Sequence, residues 1–282
     1  MRSHRAIRAA AAIACVLACA GCGGLATPSP ELFPTPPRDA ITFWGHACTY
    51  IDAGGVGIVT DPVFERSIWV RTRRIPSPPP ASYAATRVVL ISHAHDDHLS
   101  PETLRTFPND VVILCPVPAA KYLEKVGRTV RPMKPGDVFE IEGVRVSAVV
   151  AHHPGTRWST HAVADGRALG YVIEIPAATI FYSGDSDYFS GFSNVGATFH
   201  PDIALLNVNG HLPSTDATRA AWACGAPVVI PIHWGGFKYW LVGGNKHPRD
   251  RETLTRVLDG RLHVLEVGQS LPLARASFQP GK

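Results

Sequence analysis

The chain has 282 residues, 45% of them hydrophobic and 18% charged, which is enough apolar material for a sizeable core and excludes a wholly disordered protein. The formal charge of +4 leans on Arg2, Arg5 and Arg8 in an acid-free leader; the remainder carries 24 basic against 23 acidic side chains. That near-neutral body leaves no electrostatic footprint for nucleic acid, and six cysteines do not make a dense disulfide scaffold.

A basic start runs into the apolar stretch Ala9–Ala20, which is too short to cross a bilayer comfortably and suits the core of a signal peptide. It ends in Ala20-Gly21-Cys22-Gly23. Small residues before a Cys resemble a bacterial lipoprotein processing site, with Cys22 as the lipidated residue and Cys19 as the weaker alternative. Residues 1–22 are therefore read as a signal peptide, residues 23–40 as a Pro-rich tether and residues 41–282 as the functional domain. The expected location is the bacterial cell envelope, exported and held at a membrane by lipid. Cys48, Cys115 and Cys224 remain in the body, an odd number that cannot fully pair, and Cys115 after Val111–Leu114 reads as a buried thiol.

Ile41–Trp44 and Val56–Asp61 read as short strands, and Pro76–Pro80 as a stiff loop. Val88–Ser92 has strand length. Pro101–Phe107 reads as a short helix with Ser100 as its cap, Val111–Leu114 as a strand and Ala119–Val126 as a helix. Val138–Ile141 and Val144–Val150 flank Glu142-Gly143 as a hairpin, and Leu169–Ile175 and Thr179–Ser183 repeat that pattern around Pro176. Strands Ile203–Val208 and Val228–Ile232 are separated by a helix near Thr215–Ala223, and a last helix, Arg251–Leu258, precedes the apolar stretch Leu262–Val267. Strands dominate early and then α and β alternate, which predicts an α/β domain of sheets covered by helices.

The sharpest chemistry lies in Ser92-His93-Ala94-His95-Asp96-Asp97-His98, directly after an apolar strand. His93 and His95 are two apart, so an extended chain turns them to the same side. A following turn presents Asp97 and His98 from another direction, and one loop can then serve two neighbouring divalent ions. Imidazole and carboxylate donors suit Zn, Mn or Fe.

This His-x-His-x-Asp-His pattern resembles the first motif of the metallo-β-lactamase superfamily, and the resemblance spans roughly residues 41–267. Ile41–Ala47 and Thr60–Phe64 resemble the opening strands of one branch, that of the N-acylphosphatidylethanolamine phospholipase D-like and, more distantly, the L-ascorbate-6-phosphate lactonase-like enzymes. The resemblance implies a four-layer αβ/βα sandwich with a binuclear site between the sheets. It implies His153 as a ligand, with Arg157 as the Arg four places on and His152 as the alternative ligand. It implies Asp185 of Ser183-Gly184-Asp185-Ser186 as a carboxylate shared by both ions, and His233 as the last ligand. One ion would take His93, His95, His153 and Asp185; the other, Asp97, His98, Asp185 and His233. The cofactors implied are two divalent ions, Zn first, with Mn or Fe as alternatives. They would hold a shared water as hydroxide and polarise a carbonyl or phosphoryl oxygen, with Asp97 also orienting the water.

Three further residues have open roles. His46 matches a family His near the site and either supports it or is a packed structural His. Arg157 supports a ligand or faces substrate. His211, in Asn207–His211, is a proton donor, a substrate contact or a solvated loop residue. Arg66, Arg71, Arg73 and Arg74 form a basic run that either contacts phosphate or is solvated. Phe237, Tyr239, Trp240, Leu241 and Val242, followed by Gly243-Gly244, form an apolar wall or lid, or ordinary packing. The function expected is a binuclear metal-dependent phosphodiesterase acting on a lipid or a small phosphodiester. The alternatives are a lactonase or other ester/amide hydrolase, and a non-catalytic metal-binding envelope lipoprotein.

Overall fold

The computed structural model describes residues 24–69, 71–158, 161–208, 212–239 and 251–273. Residues 1–22, read above as a signal peptide and including Cys22, as well as His211 and Trp240–Gly244, lie outside them. The strands are, in chain order, β1 (Ala40–Phe43), β2 (Thr49–Ala53), β3 (Val56–Thr60), β4 (Ser67–Ile68), β5 (Arg71–Arg73), β6 (Thr86–Leu90), β7 (Val112–Pro116) and β8 (Thr129–Met133). The second half adds β9 (Val138–Ile141), β10 (Val144–Val150), β11 (Leu169–Ile175), β12 (Ala178–Tyr182), β13 (Ile203–Asn207), β14 (Val228–Ile232), β15 (Phe237–Tyr239) and β16 (Ser270–Pro272).

They form a seven-stranded sheet in the order β16-β1-β2-β3-β6-β7-β8, a six-stranded sheet in the order β14-β13-β12-β11-β10-β9, and a small sheet β15-β5-β4. The period of two explains why the strands read as apolar runs. Val88 and Leu90 of β6 face a shared interior with Tyr171, Ile173, Ile203 and Leu205 of the other sheet. The alternate residues Val89 and Ile91 pack outward under Leu104, Ala119 and Leu123. Ala204 and Leu206 pack outward under helices Gly191–Phe199, Ser214–Cys224 and Arg251–Leu258. Both faces of each central strand are thus buried, giving helix, sheet, sheet and helix layers: the mixed α/β sandwich that the motif resemblance implied.

Several local features differ from the sequence expectation. The residues read as a tether pack on the body from Gly24 onward, because their apolar members find partners. Ala26 N–H donates to Phe64 O at 2.8 Å, and buried Phe33 packs edge-on against Trp44. The helix read over Ala119–Val126 is only Val117–Ala120, followed by three-residue turns. Leu262–Val267 forms no strand beyond a bridge from Leu262 to Val229; a turn closed by Gln269 N–H to Glu266 O interrupts it, and the chain resumes as β16 against β1. Helix Gly191–Phe199 has a glycine in its middle for a packing reason: a Cβ on Gly196 would stand 2.6 Å from Ala223 O of the next helix. Cys48, Cys115 and Cys224 are buried free thiols. Among the described residues no helix is long and apolar enough to cross a membrane.

Strand directions create the site. β3, β6 and β7 are parallel, as are β12, β13 and β14, while β10 runs with β12 because each is antiparallel to β11. The loops leaving β3, β6, β10, β12 and β14 therefore emerge at one end of the sandwich. The β1–β2 turn joins them there through two backbone bonds, His46 N–H to Trp234 O at 2.6 Å and His233 N–H to His46 O at 2.7 Å, which tie the two sheets together.

Candidate metal centre

The loop after β6 brings His93, His95, Asp97 and His98 to this end; β10 leads to His153, β12 to Asp185 and β14 to His233. All but His95 and His233 are buried, and those two are partly so. His93 Nε2 lies 2.9 Å from His95 Nδ1 and 3.1 Å from His153 Nε2, and the last two nitrogens are 3.3 Å apart. Three ring nitrogens meeting at one point need a proton or a cation between them. A tetrahedral zinc with Zn–N of about 2.0–2.1 Å sets its nitrogens about 3.3 Å apart, so the triad has the spacing of metal ligands. Burial, reinforced by His98 and His153, holds His93 well below the ordinary imidazole value and keeps its ring neutral for ligation.

A second group stands beside the first. Donor atoms of His46, Asp97, His98 and His233 all lie within 4.8 Å of one another. Asp185 Oδ2 is 3.0 Å from His98 Nε2 and 3.2 Å from His233 Nε2. Burial opposes charge on Asp185, yet His233 and His98 outweigh it and hold the carboxyl well below its ordinary value. Burial also opposes charge on Asp97, and His46, His98 and Arg71 reverse that in the same way. His98 is pulled in the opposite sense: against burial, Asp185 and Asp61 raise it well above the ordinary imidazole value. Its imidazolium marks a place where this cluster calls for positive charge. The residues present can hold two divalent ions.

Sequence reasoning left His46 undecided; the structure puts it in the second group, its Nε2 3.3 Å from Asp97 Oδ2 and its ring 4.1 Å from that of His233. Burial and the nearby His233 lower it to about 3. His152, the alternative to His153, is turned away, with Nδ1 3.5 Å from Asp187 Oδ2. Arg157 stands outside both donor groups, donating to Leu99 O at 3.0 Å and covering the Tyr122 ring. Of the basic run, Arg71 reaches Asp96 at 2.5 Å and Asp97 at 3.4 Å, while Arg73 is buried between the Phe64 and Phe237 rings. Phe237 and Tyr239 belong to β15, paired with β5.

Two supporting residues escaped sequence reasoning. Asp61, in the loop after β3, accepts from Ser92 N–H at 2.7 Å, Ser92 Oγ–H at 2.5 Å and Tyr182 O–H at 2.5 Å, and its Oδ2 is 2.7 Å from His98 Nδ1. It fixes which His98 nitrogen faces the cluster. Asn207, the last residue of β13, donates from Nδ2 to Asp185 Oδ1 at 2.6 Å and turns Oδ2 toward the histidines. The signal for Asp61 was an acid between an apolar strand and a proline. Backbone conformation adds to the pattern: Asp61, His46 and His233 have φ of 33°, 58° and 69°, a region side chains avoid and functional sites tolerate.

Residues 57–234 match the family model described as a beta-lactamase superfamily domain. The chain belongs to this superfamily. A UPF0173 metal-dependent hydrolase from Methanosphaerula palustris is 30% identical over 83% of this chain and 99% of its own length. Among solved structures of the same fold, Igni18, a metallo hydrolase from Ignicoccus hospitalis, aligns with a TM-score of 0.63 and 20% identity, covering 82% of this chain and 97% of that one. The diiron β-hydroxylase CmlA from Streptomyces venezuelae aligns with a TM-score of 0.62 and 18% identity, covering 85% of this chain and 55% of its own. These two likenesses speak for the fold. Within the superfamily, the donor geometry carries the argument for this chain's chemistry.

Proposed function

We propose that this protein is an exported, lipid-anchored phosphodiesterase that uses two divalent ions to cleave a lipid or a related small phosphodiester, in the manner of the phospholipase D-like branch of its superfamily. At the coarser level the chain is a metal-dependent hydrolase. The observation that carries the reading is the meeting of two donor groups around Asp185, whose Oδ2 lies 3.0 and 3.2 Å from His98 and His233. In this reading His93, His95 and His153 would hold one ion and Asp97, His98 and His233 the other, with Asp185 available to both. Zn, Mn and Fe all suit the donors.

Two divalent ions held by these residues would lower the pKa of a water and polarise the scissile group. The chain supplies the orientation. Asp97, kept ionised and held between His46 and Arg71, accepts from the attacking water and turns its lone pair toward the substrate. Asn207 and Asp61 keep Asp185 and His98 from rotating. Arg71 is a partly exposed guanidinium beside the cluster, a group suited to a phosphodiester oxygen. Lipid attachment at Cys22 brings the enzyme to a membrane, in accord with the basic, apolar, small-residue and Cys order of the leader.

The test is turnover by the purified, metal-loaded chain against bis(p-nitrophenyl) phosphate, a glycerophospholipid, a lactone and a simple ester. Phosphodiester hydrolysis that disappears in Asp185→Ala, together with saturation at two metal equivalents in the parent, supports the reading. Hydrolysis of the lactone or ester alone reassigns the substrate. Two bound equivalents with no turnover on any substrate would make the protein a binding lipoprotein. Intact mass of the mature N-terminus reads the anchor separately: an unmodified chain or one retaining Met1 rejects it.

A further inference from the structure

From Gly24 onward the described chain is bonded to the body. Arg66 N–H donates to Gly24 O at 2.9 Å and Ala26 N–H to Phe64 O at 2.8 Å, with Leu25 bridged to Glu65. Cys22 precedes Gly24 by two residues, so chain connectivity keeps the two within about 7 Å. A lipid on Cys22 therefore has no long leash. A lipid on Cys22 would bring the surface around Gly24 close to the headgroups.

That surface is not an ordinary polar one. Leu25 is 40% exposed, and Arg66 beside it is exposed. Arg66 leads into the hairpin of β4 and β5, whose tip carries Trp69, 51% exposed at φ 51°, a conformation bulky residues avoid. Trp69 meets Trp158 edge-on, ring centroids 5.4 Å apart, and Trp158 is 70% exposed. Three of the six large exposed hydrophobics among the described residues thus lie at the leader junction or on the hairpin that leads away from it and its Trp158 neighbour. Tryptophan and arginine next to an aliphatic side chain suit the interface of a bilayer, where an amphipathic ring sits among headgroups. The same segments lead to the metal centre. Arg71, two residues after Trp69, reaches Asp97, and Trp158 lies five residues after His153 in the loop between β10 and β11.

We propose that Leu25, Arg66, Trp69 and Trp158 form a membrane-docking face that seats on a phospholipid bilayer and turns the mouth of the metal centre toward lipid. The proposal rests on the anchoring read from the leader and adds an orientation to it. A single acyl chain gives marginal attachment, and a second contact both strengthens it and removes rotational freedom.

The full chain, reconstituted into phosphatidylcholine–phosphatidylglycerol vesicles with brominated acyl chains, tests this through tryptophan quenching. Trp44 and Trp234 are buried, and exposed Trp222 lies on helix Ser214–Cys224 in the outer layer of the other sheet. W69F/W158F should lower the bromolipid-quenchable emission by about half or more, as expected if these rings sit at the interface, while W222F leaves it unchanged. Each single variant should show part of the effect, which guards against misfolding of the double variant. Quenching untouched by W69F/W158F, or lost equally with W222F, overturns the face. A lipidated chain by intact mass with that outcome leaves the anchor standing and removes only the docking face. Self-association of the detergent-solubilised chain that W69F/W158F abolishes also overturns it, by giving the face to a second copy.

Discussion

Asp61 illustrates how one buried side chain organises several others. Its carboxylate serves Ser92, Tyr182 and His98 at once. Asp61→Asn replaces one acceptor oxygen with a donor, so at least one of those buried groups loses its partner. The expected outcome is a stability loss of about 2–4 kcal/mol, the range for breaking a buried charged network. Metal affinity should weaken about 10–100-fold, because His98 is no longer fixed in rotation and tautomer. Thermal melting and metal titration read the two effects; if neither moves, Asp61 does not position His98. Asp97→Asn is expected to behave differently. Asp97 faces the cluster, held by His46 and Arg71, and the fold rests on apolar sheets that it does not touch. Turnover should fall roughly 100-fold or more with the fold intact, the usual size of a lost general-base or ligand-supporting group. Near-normal turnover by a folded Asp97→Asn protein carrying two metal equivalents would defeat the assignment.

Between elements, the bridge from the β1–β2 turn to the loop after β14 joins the two sheets and both His46 and His233 ride on it. Gly236 allows that close approach: a Cβ there would stand 2.6 Å from His46 Cβ and 3.1 Å from His46 N. Gly236→Ala should therefore push the bridge open, cost about 1–3 kcal/mol and reduce metal binding at the second group. Gly225→Ala makes the comparison, since Gly225 has φ 73° but nothing within 4 Å of its would-be Cβ. It should cost about 1 kcal/mol through backbone strain and leave metal content intact. Equal metal content in the two variants would sink this account of the bridge. The same bridge marks the limit of sequence reading. Strands β9, β10 and β11 and helix Arg251–Leu258 were legible to the residue, because turn residues bound their apolar runs or the spacing is helical. The density of His and Asp after β6 was legible for the same local reason. The small sheet β15-β5-β4 was not, since its basic strands have no alternating pattern and pair with a segment far along the chain. Nor was the position of His46, which depends on Trp234 rather than on its own neighbours.

Across the whole molecule, the buried ionisable groups set an expected dependence of stability on pH. His46 and His93 are depressed in the folded protein, His46 to about 3, chiefly by burial. Below their ordinary value of 6.5 the unfolded chain takes up protons that the folded one refuses, so stability falls as pH drops from 6.5 toward those lowered values. His98 is raised well above 6.5 despite burial, by Asp185 and Asp61. Its contribution is fully present below 6.5 and is lost as pH rises through the folded value. Asp97 and Asp185, both depressed, contribute above 3.8 and lose that contribution only in stronger acid. The metal-free protein should therefore be most stable near pH 6.5 and weaken on either side. Ligation at His98 must displace the proton on its Nε2, so loading should release a proton near neutral pH and remove the alkaline decline. Melting curves of the metal-free and loaded forms across pH read the shift of the optimum. Titration calorimetry in two buffers of different ionisation enthalpy reads the proton. An optimum at the same pH in both forms, with no buffer dependence of the binding heat, would show that His98 does not exchange its proton for a metal ion.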